Sequence, residues 1–227
     1  MAKINLRKEQ RATLDRPPRN YSWLARFFFA AFDLLAGKQT TLHKLKLLEI
    51  LAAIPYRAWE NRHYLRLSRS YADEEKRSHS LRLIAWTRQA QDNEYRHLLV
   101  LQGLIEEMGE KKPFYHLPFM TRPLIFSYRL FSWTLARISI RRALFFNAEF
   151  EDHAEHVYAR FAGKYPEWEN RPVVSPAARA YGEFAGWADL FRRIALDERD
   201  HRNSSLLFCG RPREMALYEN MPEDQAN

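Results

Sequence analysis

The side chains best suited to chemistry in this sequence are carboxylates and imidazoles placed at helical spacing. Glu94 and His97 are three residues apart, as are Glu198 and His201, and residues at this spacing lie on one face of a helix. In both segments that face is otherwise apolar, so each pair is predicted to be buried. A buried carboxylate needs a partner, because an unpaired charge inside a core is destabilising. A divalent metal would satisfy the carboxylate and the imidazole together.

Two further carboxylates extend the set, since Glu49 and Glu151 each fall within the apolar stripe of another predicted helix. One Glu-x-x-His pair is weak evidence, because chance gives about 0.7 such pairs in a sequence of this composition. A third pair, Glu60 and His63, lies about 16 to 21 Å along its helix from Glu49 and is interpreted as a polar helix end. The ordered set of Glu, Glu-x-x-His, Glu and Glu-x-x-His on four helices is the ligand pattern of di-iron carboxylate four-helix bundles.

The donor set predicts which metal would bind. Four carboxylates carry four negative charges, which two divalent ions balance. Hard oxygen donors with one imidazole per metal suit Fe(II) or Mn(II), leave coordination positions open for O₂ and disfavour a closed zinc site. We therefore expect two divalent ions, iron or manganese, as the cofactor. The single cysteine, Cys209, excludes an internal disulfide and a cysteine-based zinc site.

The elements that would position these residues are helical throughout. Glycine is scarce, with 7 in 227 residues, and no alternating β-branched run bounded by turn signals occurs. The predicted fold is all-α, a ferritin-like four-helix bundle with two additional membrane-facing aromatic helices. The predicted organisation is an exposed basic N-terminal arm over residues 1–20, the di-iron four-helix-bundle domain over residues 21–211, and a polar C-terminal tail over residues 212–227.

The charge and the aromatic segments point to an acidic surface as a partner. The formal net charge is +8 and the pI about 9.6, which fits nucleic acid or anionic lipid, but no nucleic-acid recognition motif is present. Trp23–Leu35 and Pro118–Ile140 are rich in Phe, Trp and Leu, yet charged residues interrupt both, so neither is a convincing membrane span. Two interpretations are equally well supported: in-plane anchors in one leaflet, or core helices with arginine at the rim. No signal peptide is predicted.

Four short motifs resemble a known family, the alternative oxidases, and most closely the plastid terminal oxidase branch. LLEILAAIPY resembles the first ligand helix of that family, including a proline six residues after the glutamate, and NEYRHLL resembles its Asn-Glu-x-x-His-Leu motif. FEDHAEHVY is similar to the plastid-type third motif, in which His replaces the last Glu of Leu-Glu-Glu-Glu-Ala. LDERDH is similar to the Asp-Glu-x-x-His motif. The resemblance covers roughly Leu42 to Phe208.

The resemblance implies a di-iron quinol oxidase that sits on one leaflet, oxidises two quinols and reduces O₂ to two waters without pumping protons. The implied metal ligands are Glu49, Glu94, His97, Glu151, Glu198 and His201. Tyr158 is implied as a redox or proton donor, with a buried aromatic as the alternative interpretation, and Asn93 and Asp197 as residues that orient ligands. The implied quinol-binding residues are Lys44, Leu48, Phe150, His153, Ala154 and Val157. Lys44 departs from the family's usual Arg, which exchanges a planar bidentate donor for a point charge.

The expected partners are a membrane quinol (ubiquinol, plastoquinol or menaquinol), O₂, an anionic bilayer surface and a second copy of the chain. The expected location is the cytoplasmic face of a bacterial inner membrane, or an organellar inner or thylakoid membrane in a eukaryote. Two alternatives remain open, namely a di-iron quinone-ring hydroxylase of the demethoxyubiquinone type and a non-enzymatic ferritin-like iron-binding protein. Glu155 and His156 are interpreted as surface or proton-path residues rather than as ligands.

Overall fold

The computed structural model describes residues 4–221 and contains eight α-helices, three short 3₁₀ segments and no β-strand within that range. The all-α prediction is therefore confirmed, whereas the ferritin-like arrangement and the membrane-facing role of two helices stay predictions. Met1–Lys3 of the predicted arm and residues 222–227 of the predicted tail lie outside the described residues. The helices are α1 Leu6–Asp15, α2 Trp23–Ala36, α3 Leu42–Arg69, α4 Glu74–Met108, α5 Pro118–Ile138, α6 Ile140–Ala162, α7 Pro176–Tyr181 and α8 Trp187–Phe208.

Helix boundaries follow local capping chemistry. Ser22, Thr41 and Asp73 precede α2, α3 and α4, and each side-chain oxygen accepts a hydrogen bond from the backbone amide three residues later, which satisfies an otherwise unpaired amide of the first turn. Gly109 ends α4 in the left-handed conformation, with φ of 63°, where a residue without Cβ is favoured. The caps at Thr41 and Asp73 therefore fix where the two ligand helices α3 and α4 begin.

The chain divides into two compact units, one formed by Thr41–Ala143 and the other by the segments up to Thr40 and from Leu144 onward. This division differs from the arm, domain and tail predicted from the sequence, whose boundaries stay predictions. Helix α6 begins in the first of these units and continues into the second. Each unit has an interior of its own.

In the unit formed by residues 41–143, α3 packs against both α4 and α5. Helix α3 continues through Pro55, although proline removes one helical hydrogen bond. Its aromatic residues form part of the core, because the rings of Trp59 and Trp86 stack with centroids 6.0 Å apart and Tyr56 meets Trp59 edge-on at 5.4 Å. This packing holds α3 and α4 in register along their length.

In the other unit, α1 packs against α8. Four aromatic rings pack together around α8, with centroid distances of 5.0 to 5.7 Å. Phe191 contacts Phe161 and Trp168, and Trp168 also contacts Trp187. The prediction of an exposed N-terminal arm is wrong for α1, because Glu9 and Thr13 are buried. One face of α1 contributes Glu9 and Thr13 to buried contacts with α8, whereas Arg7, Lys8, Arg11 and Asp15 on its other faces are exposed.

Candidate metal centre

Helices α3 and α4 supply three of the predicted ligands. Glu49 on α3 and Glu94 and His97 on α4 are all fully buried. The Nδ1 atom of His97 lies 3.3 Å from Oε2 of Glu49 and 3.7 Å from Oε2 of Glu94. The prediction that this pair and this lone glutamate lie on apolar faces is confirmed, because these faces form the packed side of each helix.

Helices α6 and α8 supply the other three. Glu151 and Glu198 are fully buried and His201 nearly so, and Nδ1 of His201 lies 3.6 Å from Oε2 of Glu198. The amide of Asn147, one turn before Glu151, donates to Oε1 of Glu151 at 2.9 Å and to the hydroxyl of Ser205 at 3.1 Å. Asn147 therefore orients Glu151 and ties α6 to α8, a role that its sequence context did not indicate.

Two groups of four buried side chains could each hold a metal ion, with all ligand atoms of a group within 4.8 Å of one another. The first group is Glu49, Glu94, His97 and Glu198, and the second is Glu94, Glu151, Glu198 and His201. Together they contain all six predicted ligands, and each brings one imidazole to three carboxylates. Carboxylates buried this close together repel one another unless cations offset their charge. The donor set therefore fits oxygen-preferring divalent metals such as Fe(II) and Mn(II).

Asp197 and Asp200 directly precede Glu198 and His201 on α8, and each accepts a hydrogen bond from a tyrosine. Asp197 accepts from the hydroxyl of Tyr181 and from Arg193, and its role in orienting the neighbouring Glu198 stays a prediction. The hydroxyl of Tyr218 donates to the carboxylate of Asp200, and its oxygen lies 2.8 and 3.0 Å from the two carboxylate oxygens. Burial raises the pKa of Asp200 to about 7. The sequence did not indicate these tyrosines, because Tyr181 ends the six-residue helix α7 and Tyr218 lies outside the helices, and neither segment is long enough to show helical periodicity.

A buried ionic cluster surrounds Glu155 in the same unit. Its carboxylate accepts hydrogen bonds from Thr13 at 2.7 Å, from Arg16 at 2.6 Å, from Arg199 at 2.8 Å and from Arg202 at 3.0 Å. Burial alone would raise the pKa of Glu155, but the surrounding guanidinium groups lower it to about 2. The arginine partners therefore favour the ionised form of this carboxylate, and it is not at the surface.

The surface interpretation is therefore wrong for Glu155, whereas its place on a proton path stays a prediction. His156 is also buried, and its two ring nitrogens contact the backbone carbonyls of Asp152 at 2.7 Å and Arg16 at 2.9 Å, so the surface interpretation fails for this residue as well. Arg199 additionally contacts Glu9 on α1. The cluster joins α1, α6 and α8, where Glu155 lies one turn after Glu151, and Arg199 and Arg202 directly follow Glu198 and His201.

The remaining predicted residues are placed as follows. Tyr158 is fully buried, with its ring centroid 6.5 Å from that of Phe191, and Asn93 is partly exposed beside Glu94. The imidazole of His153 stacks on the ring of Phe29 at 4.1 Å. Lys44, Leu48, Phe150 and Ala154 are buried, whereas His153 and Val157 are partly exposed. Their roles in binding quinol stay predictions.

No protein-family model matches the chain, and no curated protein matches it either. Among residues 4–221, no helix combines the length and the apolar character needed to cross a bilayer. The fold and the site therefore define this protein as an all-α protein with buried clusters of glutamate and histidine that could bind metal.

Proposed function

We propose that this protein is a di-iron quinol oxidase, which oxidises two molecules of quinol to quinone and reduces one O₂ to two waters. The observation that carries the proposal is the pair of overlapping four-residue groups, in which Glu94 and Glu198 belong to both. A carboxylate shared by two groups can bridge two ions, so the six side chains would hold a dinuclear centre. Two iron ions in such a centre, when bound, supply the one-electron steps and the O₂ chemistry that organic side chains lack.

The role of the protein would be to hold the six ligands in fixed positions and to keep water away from them. All six are buried, and Asn147 fixes one carboxylate oxygen of Glu151. Arg193 and Tyr181 hold Asp197 beside Glu198. Ligands oriented by such partners lose little freedom when they bind a metal.

A membrane substrate is supported by the exposed faces of two aromatic helices. On α2, Trp23, Phe27 and Leu34 are exposed at spacings of four and seven residues, which place them on one face. On α5, the exposed large apolar residues are Phe119, Phe126, Leu130, Trp133 and Ile138. Contiguous exposed apolar stripes flanked by arginine are typical of helices that lie in a membrane interface. A quinol dissolved in the bilayer would reach such a protein without entering water.

Two side chains on α6 and one on α3 would serve the proposed reaction. His153 is partly exposed and its ring is held by stacking on Phe29, so its imidazole can accept a proton from a quinol hydroxyl. Tyr158, one turn further along α6 and fully buried, can donate a hydrogen atom during O₂ reduction. Lys44 on α3 would meet the quinone head group as a point charge.

The test is oxygen uptake by iron-loaded protein given a short-chain quinol. We expect one O₂ to be consumed per two quinols, with loss of this activity in Glu198→Ala and His201→Ala. Glu60→Gln, in the remaining Glu-x-x-His pair, is the matched control and should retain activity. Incorporation of oxygen into the quinone ring, seen as a mass increase of the product, would instead identify the hydroxylase. Iron binding without quinol-dependent uptake would refute the oxidase and favour iron storage.

A further inference from the structure

Five basic side chains gather where the second half of α3 packs against the start of α4 and the end of α5. Arg62 and Arg66 lie one turn apart on α3, Arg137 lies in the last turn of α5, and His63 and His79 bring imidazoles from α3 and α4. The rings of His63 and His79 have centroids 5.8 Å apart. Burial and the positive charges of Arg66 and Arg137 lower the pKa of Arg62. Burial and the positive charge of Arg66 likewise lower the pKa of both imidazoles. This set is called the α3 basic cluster below.

The carboxylates that act on the α3 basic cluster do not balance its three guanidinium groups: Asp73 is paired with Lys76 at 2.6 Å and reaches Arg66 only over a longer distance, and Glu75 acts on His79. Among residues 4–221, no acidic side chain forms an ion pair with Arg62, Arg66 or Arg137. The nearest glutamate on α3, Glu60, is paired with Arg88 at 2.6 Å. Like charges at this spacing repel one another and destabilise a helix. A protein that keeps such a group together therefore gains stability from an anion that offsets the charge.

Two buried nitrogen atoms of the cluster also lack hydrogen-bond partners within the described residues, namely Nε of Arg62 and Nε2 of His63. His63 is fully buried, and its other nitrogen lies 3.5 Å from the hydroxyl of Ser80. Burial, and then the positive charge of His79, Arg62 and Arg66, lower the pKa of His63 to about 4. A buried polar atom without a partner is destabilising, and an oxygen-rich ligand would remove that defect.

We propose that the α3 basic cluster is a binding site for a phosphate group, either of a lipid headgroup or of free inorganic phosphate. Phosphate fits because guanidinium groups bind its oxygens in a bidentate manner, and Arg62, Arg66 and Arg137 offer three such donors from two helices. Arg66 and Arg137 reach the surface, whereas His63 lies beneath it, so the ligand would enter from outside and rest above a buried imidazole. The site lies outside the metal-binding groups and does not depend on the proposed oxidase activity.

The neighbouring residues favour a lipid source. The guanidinium of Arg137 lies over the ring of Trp133 at 5.8 Å, and Trp133 belongs to the exposed apolar stripe of α5. Tryptophan and arginine in adjacent turns are the usual residues at the level of lipid headgroups. An acyl chain on that stripe would place its phosphate within reach of Arg137.

The test compares the double variant Arg62→Gln/Arg66→Gln with Arg122→Gln/Arg129→Gln, which removes the same charge from exposed positions of α5. Isothermal titration calorimetry would use two probes, inorganic phosphate and dihexanoyl phosphatidylglycerol below its micelle concentration. We expect one ligand per chain, with affinity reduced at least tenfold in the first variant and less than threefold in the control. Binding of phosphate alone would identify free phosphate as the source, and binding of the lipid alone would identify the headgroup.

Absence of binding by both probes, or equal losses in the two double variants, would overturn the proposal. The first variant is expected to melt no lower than the wild type without ligand, because it removes repulsion. If this double variant does not fold, the single variants Arg66→Gln and Arg129→Gln are compared in the same way. At least a threefold loss of affinity is expected only for Arg66→Gln.

Discussion

Replacing Glu155 by glutamine is expected to destabilise the protein by about 3 kcal/mol at pH 7. The magnitude follows from the pKa, which falls from an ordinary value of 4.5 to about 2 in the folded protein, and each pKa unit corresponds to about 1.4 kcal/mol. It agrees with the roughly 3 to 5 kcal/mol lost when one partner of a buried ion pair is removed. Arg199 and Arg202, both buried, would lose the charge that offsets theirs.

The pH dependence has a defined sign. Because the pKa of Glu155 is lower in the folded than in the unfolded protein, its contribution to stability is present above pH 4.5 and is lost as the pH falls toward 2. The difference between wild type and Glu155→Gln should therefore be largest at neutral pH and shrink across that interval. Urea unfolding followed by circular dichroism at pH 7, 5, 4 and 3 measures it.

Glu219→Gln provides the control, since Glu219 pairs with Lys8 at an exposed position, where an ion pair contributes at most about 1 kcal/mol. If Glu155→Gln destabilised the protein no more than Glu219→Gln at pH 7, or if its effect did not change with pH, the assignment of Glu155 as a buried anionic anchor would be refuted.

Three further outcomes are expected. Thr13→Val, which removes a buried hydroxyl donating to the same ionic cluster, should lower the free energy of unfolding by about 1 kcal/mol, measured by urea unfolding; an unchanged value would mean that α1 is not docked in solution. Phe126→Ser with Trp133→Ser should reduce flotation with phosphatidylglycerol vesicles at least tenfold, and unchanged flotation would argue against α5 as a membrane contact. Gly186→Ala should destabilise the protein by about 1 to 3 kcal/mol, because a Cβ there would lie 2.5 Å from a backbone oxygen. Gly163→Ala, where the nearest atom is 3.6 Å away, should be tolerated. Thermal melting of the two glycine variants measures the difference.

The burial of the candidate ligand residues could be predicted from the sequence because helical periodicity is a local property. Glu49 and the pair Glu94 and His97 fall on faces that the spacing of leucine and alanine already defines. Helix α4 spans Glu74–Met108, so Glu94 and His97 lie well inside a continuous helix. The overlap of two four-residue groups adds distances that the sequence could only suggest.

The ionic cluster could not be predicted, because its members are far apart in the chain. Thr13 and Glu155 are 142 residues apart, and Arg199 and Glu9 are 190 apart. Each residue alone resembles an ordinary surface charge, since no local pattern tells whether a distant arginine will meet a glutamate. The absence of a local pattern for such contacts also explains why the sequence predicts an exposed α1 and why His63 is interpreted as part of a polar helix end.

The most direct test of the central claim is the amount of iron bound per folded chain, measured by plasma mass spectrometry after anaerobic loading with Fe(II) and desalting. The proposed centre predicts close to two iron ions in the wild type and in Glu60→Gln, and fewer than one in Glu198→Gln, because Glu198 belongs to both ligand groups. A wild type that retains no iron, or a Glu198→Gln variant that retains as much as the wild type, would contradict the assignment of these six residues as a metal centre.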